Sequence, residues 1–217
     1  SNITLYAIYR KEEVIRTVTF KLNGASSLTD ENGILVSSNV KRTCTIPAVY
    51  NLEKQATSCS ITSPDIKASA NTPNIVGFNT SSSATNSSWG TLSLKEISSD
   101  TIYYAITMAP SKIYIASFNG NGASLSTSSA KCTIPAAYNG AKQDKTCAVT
   151  APTVTRTGFN LVGFNISADS TVNNENYDVN SKKLLIDNNS NWYAITSKTV
   201  RIDFNLNSAY SLTNETG

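Results

Sequence analysis

A sixteen-residue segment occurs twice in this chain, and no other feature limits the fold as strongly. Residues 44–59 read CTIPAVYNLEKQATSC and residues 132–147 read CTIPAAYNGAKQDKTC, with every matched position shifted by 88. Cys44, Pro47, Tyr50, Lys54 and Cys59 therefore stand opposite Cys132, Pro135, Tyr138, Lys142 and Cys147. Duplication this dense means that one supersecondary unit is used more than once along the chain.

Weaker echoes extend the repeat. Phe20 in TVTFKLNGAS corresponds to Phe118 in IYIASFNGNGAS, and VGFN occurs at 76–79 and at 162–165. The offset at the NGAS tetrads is 98, so the first copy carries about ten extra residues within Thr29–Val40, expected to form a lengthened hairpin tip. LYAI (5–8), YYAI (103–106) and WYAI (192–195) mark three unit ends. The organisation that follows is the end strand of a preceding repeat at 1–9, repeat domains at 10–109 and 110–198, and the first strand of a following repeat at 199–217. The YAI segments could close one unit or open the next, and the chain reads as a window on a longer tandem array.

Strand patterns dominate. Val200, Ile202, Phe204 and Leu206 alternate with polar residues, as do Val18, Phe20 and Leu22, and Ile102, Tyr104 and Ile106. Only 173–183 and 135–141 have room for a helical turn. The fold class is mostly β, with one short helix per unit as the α+β variant.

The four cysteines form two pairs of identical 15-residue separation. Of the three possible pairings, only Cys44–Cys59 with Cys132–Cys147 gives each repeat the same staple. The alternative is two buried free thiols per unit. Closing such a loop stabilises a unit by about 3 kcal/mol, a large part of the margin of a domain this small. Disulfides would place the chain in an oxidising compartment.

Composition removes several functions. There is no His, which excludes Ser-His-Asp and Cys-His catalysis and His-ligated zinc. The net charge of +3 is spread without a Lys/Arg block, so nucleic acid is a poor partner. No apolar run is long enough for a membrane span. Ser, Thr and Asn number 30, 26 and 24, giving a polar, weakly charged, β-compatible surface.

In the second copy APTVTRTGFNLVGFN (151–165), preceded by IASFNGNG (115–122) and closed by WYAI (192–195), resembles the Listeria–Bacteroides repeat family, the B-repeats of internalins and related bacterial surface proteins. The first copy matches through TVTFKLNG (17–24) and TIYYAI (101–106) but lacks the Arg-Thr-Gly triplet. Phe78 and Phe164 hold a place where the family usually has Trp, and the Cys pair lies outside its pattern. The resemblance implies a small β-grasp-like unit, a stalk or adhesive role on a bacterial envelope, and no catalytic residues.

The stapled loops carry the candidate binding residues: Tyr50, Asn51, Lys54 and Gln55 in the first, Tyr138, Asn139, Lys142 and Gln143 in the second. A ligand-facing loop would use Tyr as a stacking face and Asn and Gln for hydrogen bonds to a sugar or peptide. The bland reading, which a repeat favours, packs Tyr on a sheet and uses Asn to set a turn. Asp187–Asn191 and Asp30–Gly33 offer oxygens for calcium, but Trp192 and Lys198 occupy the places where an EF-hand needs Gly and Glu. A self-formed Lys–Asn cross-link lacks an acid shared by both copies, since Glu53 aligns with Ala141 and Asp65 with Thr153. Six N-x-S/T sequons arise by chance in so much Asn and Ser.

The sequence thus points to a non-enzymatic repeat module of an extracellular bacterial surface protein. Two disulfide-stapled domains would stand in an elongated rod, monomeric, with no metal or cofactor, contacting neighbouring repeats. The competing reading is a module that binds glycan or host protein through the stapled loops.

Overall fold

A computed structural model describes residues 2–203. It is built of strands, and among the described residues no helix forms. Two compact units result among the described residues, one comprising 2–112 together with Ile134–Asp144, the other Ile113–Thr133 together with 145–203. The boundary falls three residues beyond the expected 109/110. The apex of the second stapled loop, 134–144, belongs to the first unit rather than staying with its own repeat.

In the first unit, Val14–Lys21 runs between two partners. It pairs antiparallel with Val40–Ile46 and parallel with Thr101–Ala109, Val18 lying beside Thr101 and Phe20 beside Tyr103. The opposite edge of Thr101–Ala109 takes Asn74–Asn79 antiparallel, with a bulge between Ile106 and Thr107. A ribbon of Cys59–Thr62 and Leu94–Ile97 lies apart from this sheet, as do three short strands at Ser27–Thr29, Leu35–Val36 and Ile66–Lys67. Ser27–Thr29 and Leu35–Val36 are the lengthened hairpin expected from the insertion. Its tip is an Asx turn in which the Asp30 carboxylate accepts from the amides of Asn32 and Ile34.

The second unit repeats the plan. Phe118 lies beside Trp192 in a parallel pair, Phe164 is opposite Ala194, and a bulge falls between Leu161 and Gly163. Cys147–Thr150 pairs with Lys183–Ile186 as Cys59–Thr62 pairs with Leu94–Ile97.

Alternation in the strands sends one set of side chains inward. Val18, Phe20, Leu28, Phe78, Trp89 and Tyr103 form the first core, with Phe20 ring centres 4.9 Å from Phe78 and 5.3 Å from Trp89. The second core holds Phe118, Phe164, Tyr177 and Trp192. The indole has changed places: where the first unit has Trp on a loop and Tyr on the closing strand, the second has Tyr177 and Trp192. Each core keeps one Trp and one Tyr at this pair of positions beside its two Phe rings, and volume is conserved across the pair.

Both disulfides form, with S–S distances of 2.04 Å for Cys44–Cys59 and 2.07 Å for Cys132–Cys147. Cys44 sits on a strand of the larger sheet and Cys59 on the ribbon, so the staple joins two layers that share no ladder. Cys132 and Cys147 do the same in the second unit.

The helical variant is not realised. Residues 173–183 form turns and the strand Tyr177–Asp178. Asn173 Oδ1 accepts from the Phe164 amide while its Nδ2 donates to the Tyr177 carbonyl, and Asn174 Oδ1 accepts from the Asn176 amide. Side chains that satisfy the backbone in this way compete with helix formation. Residues 135–141 become the strand Ala137–Tyr138, paired with Met108–Ala109, and a turn in which Asn139 and Gly140 both have positive φ. At the ends, 2–9 are exposed and unpaired into strands rather than an end strand, and 199–203 are irregular. The rest of the expected following strand, 204–217, lies outside the described residues.

Replacing Cys44 and Cys59 together by Ala should lower the unfolding free energy of the first unit by about 3 kcal/mol in urea denaturation. An unchanged midpoint would mean that core packing alone holds the two layers together.

Candidate functional site

The stapled loops are built alike. After Pro47 or Pro135, two residues form a short strand: Val49–Tyr50 pairs with Arg10–Lys11, and Ala137–Tyr138 pairs with Met108–Ala109. The next residue is Asn in the left-handed region, φ 54° at Asn51 and 56° at Asn139, a conformation Asn tolerates well. Its amide donates to the carbonyl of Tyr9 in the first loop and of Thr107 in the second. Each loop thus clasps the segment that follows a YAI sequence.

Gln closes the clasp. Gln55 Nε2 donates to the carbonyls of Glu12 (2.7 Å) and Pro47 (2.9 Å), and Gln143 Nε2 to those of Pro110 and Pro135 (both 2.8 Å). Gln55 is buried. Both donors of each amide are spent within the chain, which leaves Gln55 and Gln143 to tie the loop to the clasped segment.

Asn139 and Gly140 go further. Asn139 Nδ2 donates to the carbonyls of Ser82 (3.0 Å) and Ala84 (3.2 Å). The Gly140 amide donates to Thr72 Oγ1, which is in hydrogen-bond contact with the buried Thr107 hydroxyl at 2.7 Å, and Asn71 Nδ2 donates to the Gly140 carbonyl. The Asn139–Gly140 peptide lies flat on Gly24, where a Cβ would meet the Asn139 carbonyl oxygen at 2.1 Å. A Cβ on Gly140 would in turn meet the Gly24 Cα at 2.7 Å. Asn23 Nδ2 donates to the carbonyls of Ser82 and Ala105, holding the socket's other wall.

Of the eight candidate residues, then, Asn139, Gln55 and Gln143 are committed to intrachain contacts and Tyr138 is half-buried beside Met108. Tyr50, Asn51, Lys54 and Lys142 face solvent, next to a Leu52 that is 99% exposed. The socket residues Asn23, Gly24, Asn71, Thr72, Ser82 and Thr107 were not singled out from sequence. The signal was present in the NGAS tetrad, whose Asn23 (φ 45°) and Gly24 (φ 88°) are both left-handed.

The oxygen-rich turns do not converge on an ion. Asn189 Oδ1 accepts from the Ile115 amide, as Asp100 Oδ1 accepts from Thr17 at the matching place, and Ser190 Oγ accepts from the Trp192 indole. Among the described residues no cluster of three His, Cys, Asp or Glu side chains is close enough to hold a metal. A shallow hollow of about 470 Å³ lies over this turn, lined by Ile166, Asn174, Asn176, Asp187 and Tyr193 among others. The buried polar side chains described are Ser27, Gln55, Ser63, Thr72 and Thr107, so no described carboxylate is enclosed in the core.

Ionisation shifts are structural in origin. Hydrogen bonds from Ser60 and then Ser58 hold Glu96 below the ordinary glutamate range, and burial followed by the nearby Asp178 charge raises Tyr177. No family model, curated protein or solved structure matches the chain.

Gln55→Ala removes a buried amide that donates to two carbonyls and should cost about 1–2 kcal/mol in denaturant unfolding, whereas Lys54→Ala should fall within about 0.5 kcal/mol of the parent. Glu96 lies on the ribbon beside the first staple. With its folded value lowered, its contribution to stability is present at neutral pH and disappears as pH falls through that folded value. A carboxyl NMR titration should place Glu96 below free glutamate and return it upward in Ser60→Ala.

Proposed function

We propose that this chain is a non-enzymatic tandem-repeat module of a bacterial cell-surface protein, acting as a disulfide-stapled stalk or adhesin segment. The observation that carries the reading is the clasp: the apex of the second repeat's stapled loop is bonded into the unit built by the first repeat. An array of repeats built this way would pass a stapled hairpin from each repeat into the sheet of the one before it. The disulfides point to an oxidising environment, in keeping with an extracellular site. Among the described residues no helix is long and apolar enough to cross a membrane.

Staples placed at the base of the clasping loops suit a chain under tension. A bond between Cys44 and Cys59 removes the 15-residue span between them from the extensible length. Pulling on the oxidised protein should therefore release about 45 Å less contour per unit than pulling on the reduced protein. Equal contour lengths would separate the staples from any mechanical role.

The role as stalk also predicts silence in binding. The two-unit chain should show no saturable binding to glycan arrays or extracellular matrix proteins. Saturable binding that Tyr50→Ala abolishes, with the fold intact, would replace the stalk by a binding module.

A further inference from the structure

The second unit carries its own copy of the socket. Asn121 and Gly122 repeat Asn23 and Gly24 with φ of 48° and 88°, and Asn121 Nδ2 donates to the Ala168 carbonyl at 2.8 Å as Asn23 does to Ser82. Thr196 stands where Thr107 stands, next after YAI, and Ser197–Lys198 correspond to Met108–Ala109. In the first unit this place is filled by Tyr138, Asn139 and Gly140. In the second, among the described residues, no strand continues the edge of Ser190–Ser197 beyond Tyr193, where the parallel partner ends. Thr107 is wholly buried, Thr196 only partly.

The side chain nearest the open face of Gly122 is that of Arg156. A Cβ on Gly122 would lie 3.6 Å from Arg156 Cζ, and Arg156 Nη1 donates to Thr196 Oγ1 at 3.1 Å while the guanidinium stacks 3.9 Å from the centre of the Phe159 ring. Arg156 is exposed and held by these two contacts, so it can swing away at small cost. The segment from Val154 to Asn160 is two residues shorter than Ile66–Asn74 and has no Asn71 or Thr72.

We propose that this socket is a second docking site for a stapled hairpin with an Asn-Gly apex, the element present in this chain at 132–147. The hairpin would add two backbone pairs to Ser197–Lys198, lay its Asn-Gly peptide on Gly122 and aim the Asn amide at the Ala168 carbonyl, with Arg156 displaced. The Asn51-Leu52 apex of the first loop is excluded as occupant, because a side chain after Asn meets the backbone of the socket glycine. The assignment rests on the repeat-module reading and names the element that the second unit's socket would receive.

The test is an NMR titration of the ¹⁵N-labelled intact chain with the oxidised synthetic peptide of residues 132–147. Binding should move the amides of Asn121, Gly122, Ala168, Thr196 and Ser197 together with the Arg156 side-chain Nε signal. A peptide carrying Asn139→Ala should bind about tenfold more weakly, and one carrying Gly140→Val should not bind. Because these changes lie in the peptide, the chain's folding is untouched. Unmoved Gly122 and Thr196 signals at millimolar peptide, or equal shifts with the Gly140→Val peptide, would overturn the docking site. Glycan binding elsewhere on the chain would defeat the stalk reading and leave this result standing.

Discussion

Each unit depends on the parallel pairing of its first and last strands. In the first unit the two strands are more than eighty residues apart in sequence, yet Phe20 lies directly beside Tyr103. Bringing such distant segments together is slow and entropically costly, and no single backbone ladder repays it. The aromatic cluster supplies the return, because Phe20, Phe78, Trp89 and Tyr103 meet only when both strands are in place. The disulfide reduces the cost from the other side by shortening the chain that must be organised between them. Strand pairing, ring packing and staple are one cooperative device rather than three independent stabilisers.

The same closing strand then serves a second purpose. Its first residues pair with the opening strand, and its last two, Met108–Ala109, are left with a free edge that Ala137–Tyr138 occupies. An unpaired strand edge invites association, and a defined hairpin covering it removes that hazard. Specificity comes from a contact that only glycine permits: the Gly24 and Gly140 backbones approach where neither could carry a Cβ. In the first loop Leu52 takes the place of Gly140, and that loop reaches only as far as the Tyr9 carbonyl.

Much of this could be read from the sequence, and the exceptions have a common cause. The duplication at 44–59 and 132–147 fixed the number of units and the cysteine pairing, because a repeat keeps its staple. Alternation at Val18, Phe20 and Leu22 located the opening strand. The register offset placed the extra residues within Thr29–Val40, and the hairpin of Ser27–Thr29 and Leu35–Val36 overlaps that span. What could not be read was where a loop goes once it leaves its own repeat: Asn139 has the residue type of a ligand site, and its amide donors serve equally well against the Ser82 and Ala84 carbonyls of the first repeat. The helical turn allowed at 173–183 failed because Asn173 and Asn174 satisfy backbone groups that a helix would have used.

That failure explains the composition. With no helix among the described residues, the long connections have amides and carbonyls that must find partners outside a ladder. Asn provides both a donor and an acceptor on a short stem. Asn79 Nδ2 donates to the Asn86 carbonyl while its Oδ1 accepts from the Ser81 amide, and Asn165 repeats the pattern with Val172 and Ser167. Ser and Thr act likewise at Ser63, Thr29 and Ser126. The abundance of Asn, Ser and Thr, which looks from the sequence like a choice of surface, is in large part the hydrogen bonding of the loops. Charged side chains, with longer stems and larger desolvation costs, are poor substitutes in that role, and their scarcity follows from the same requirement.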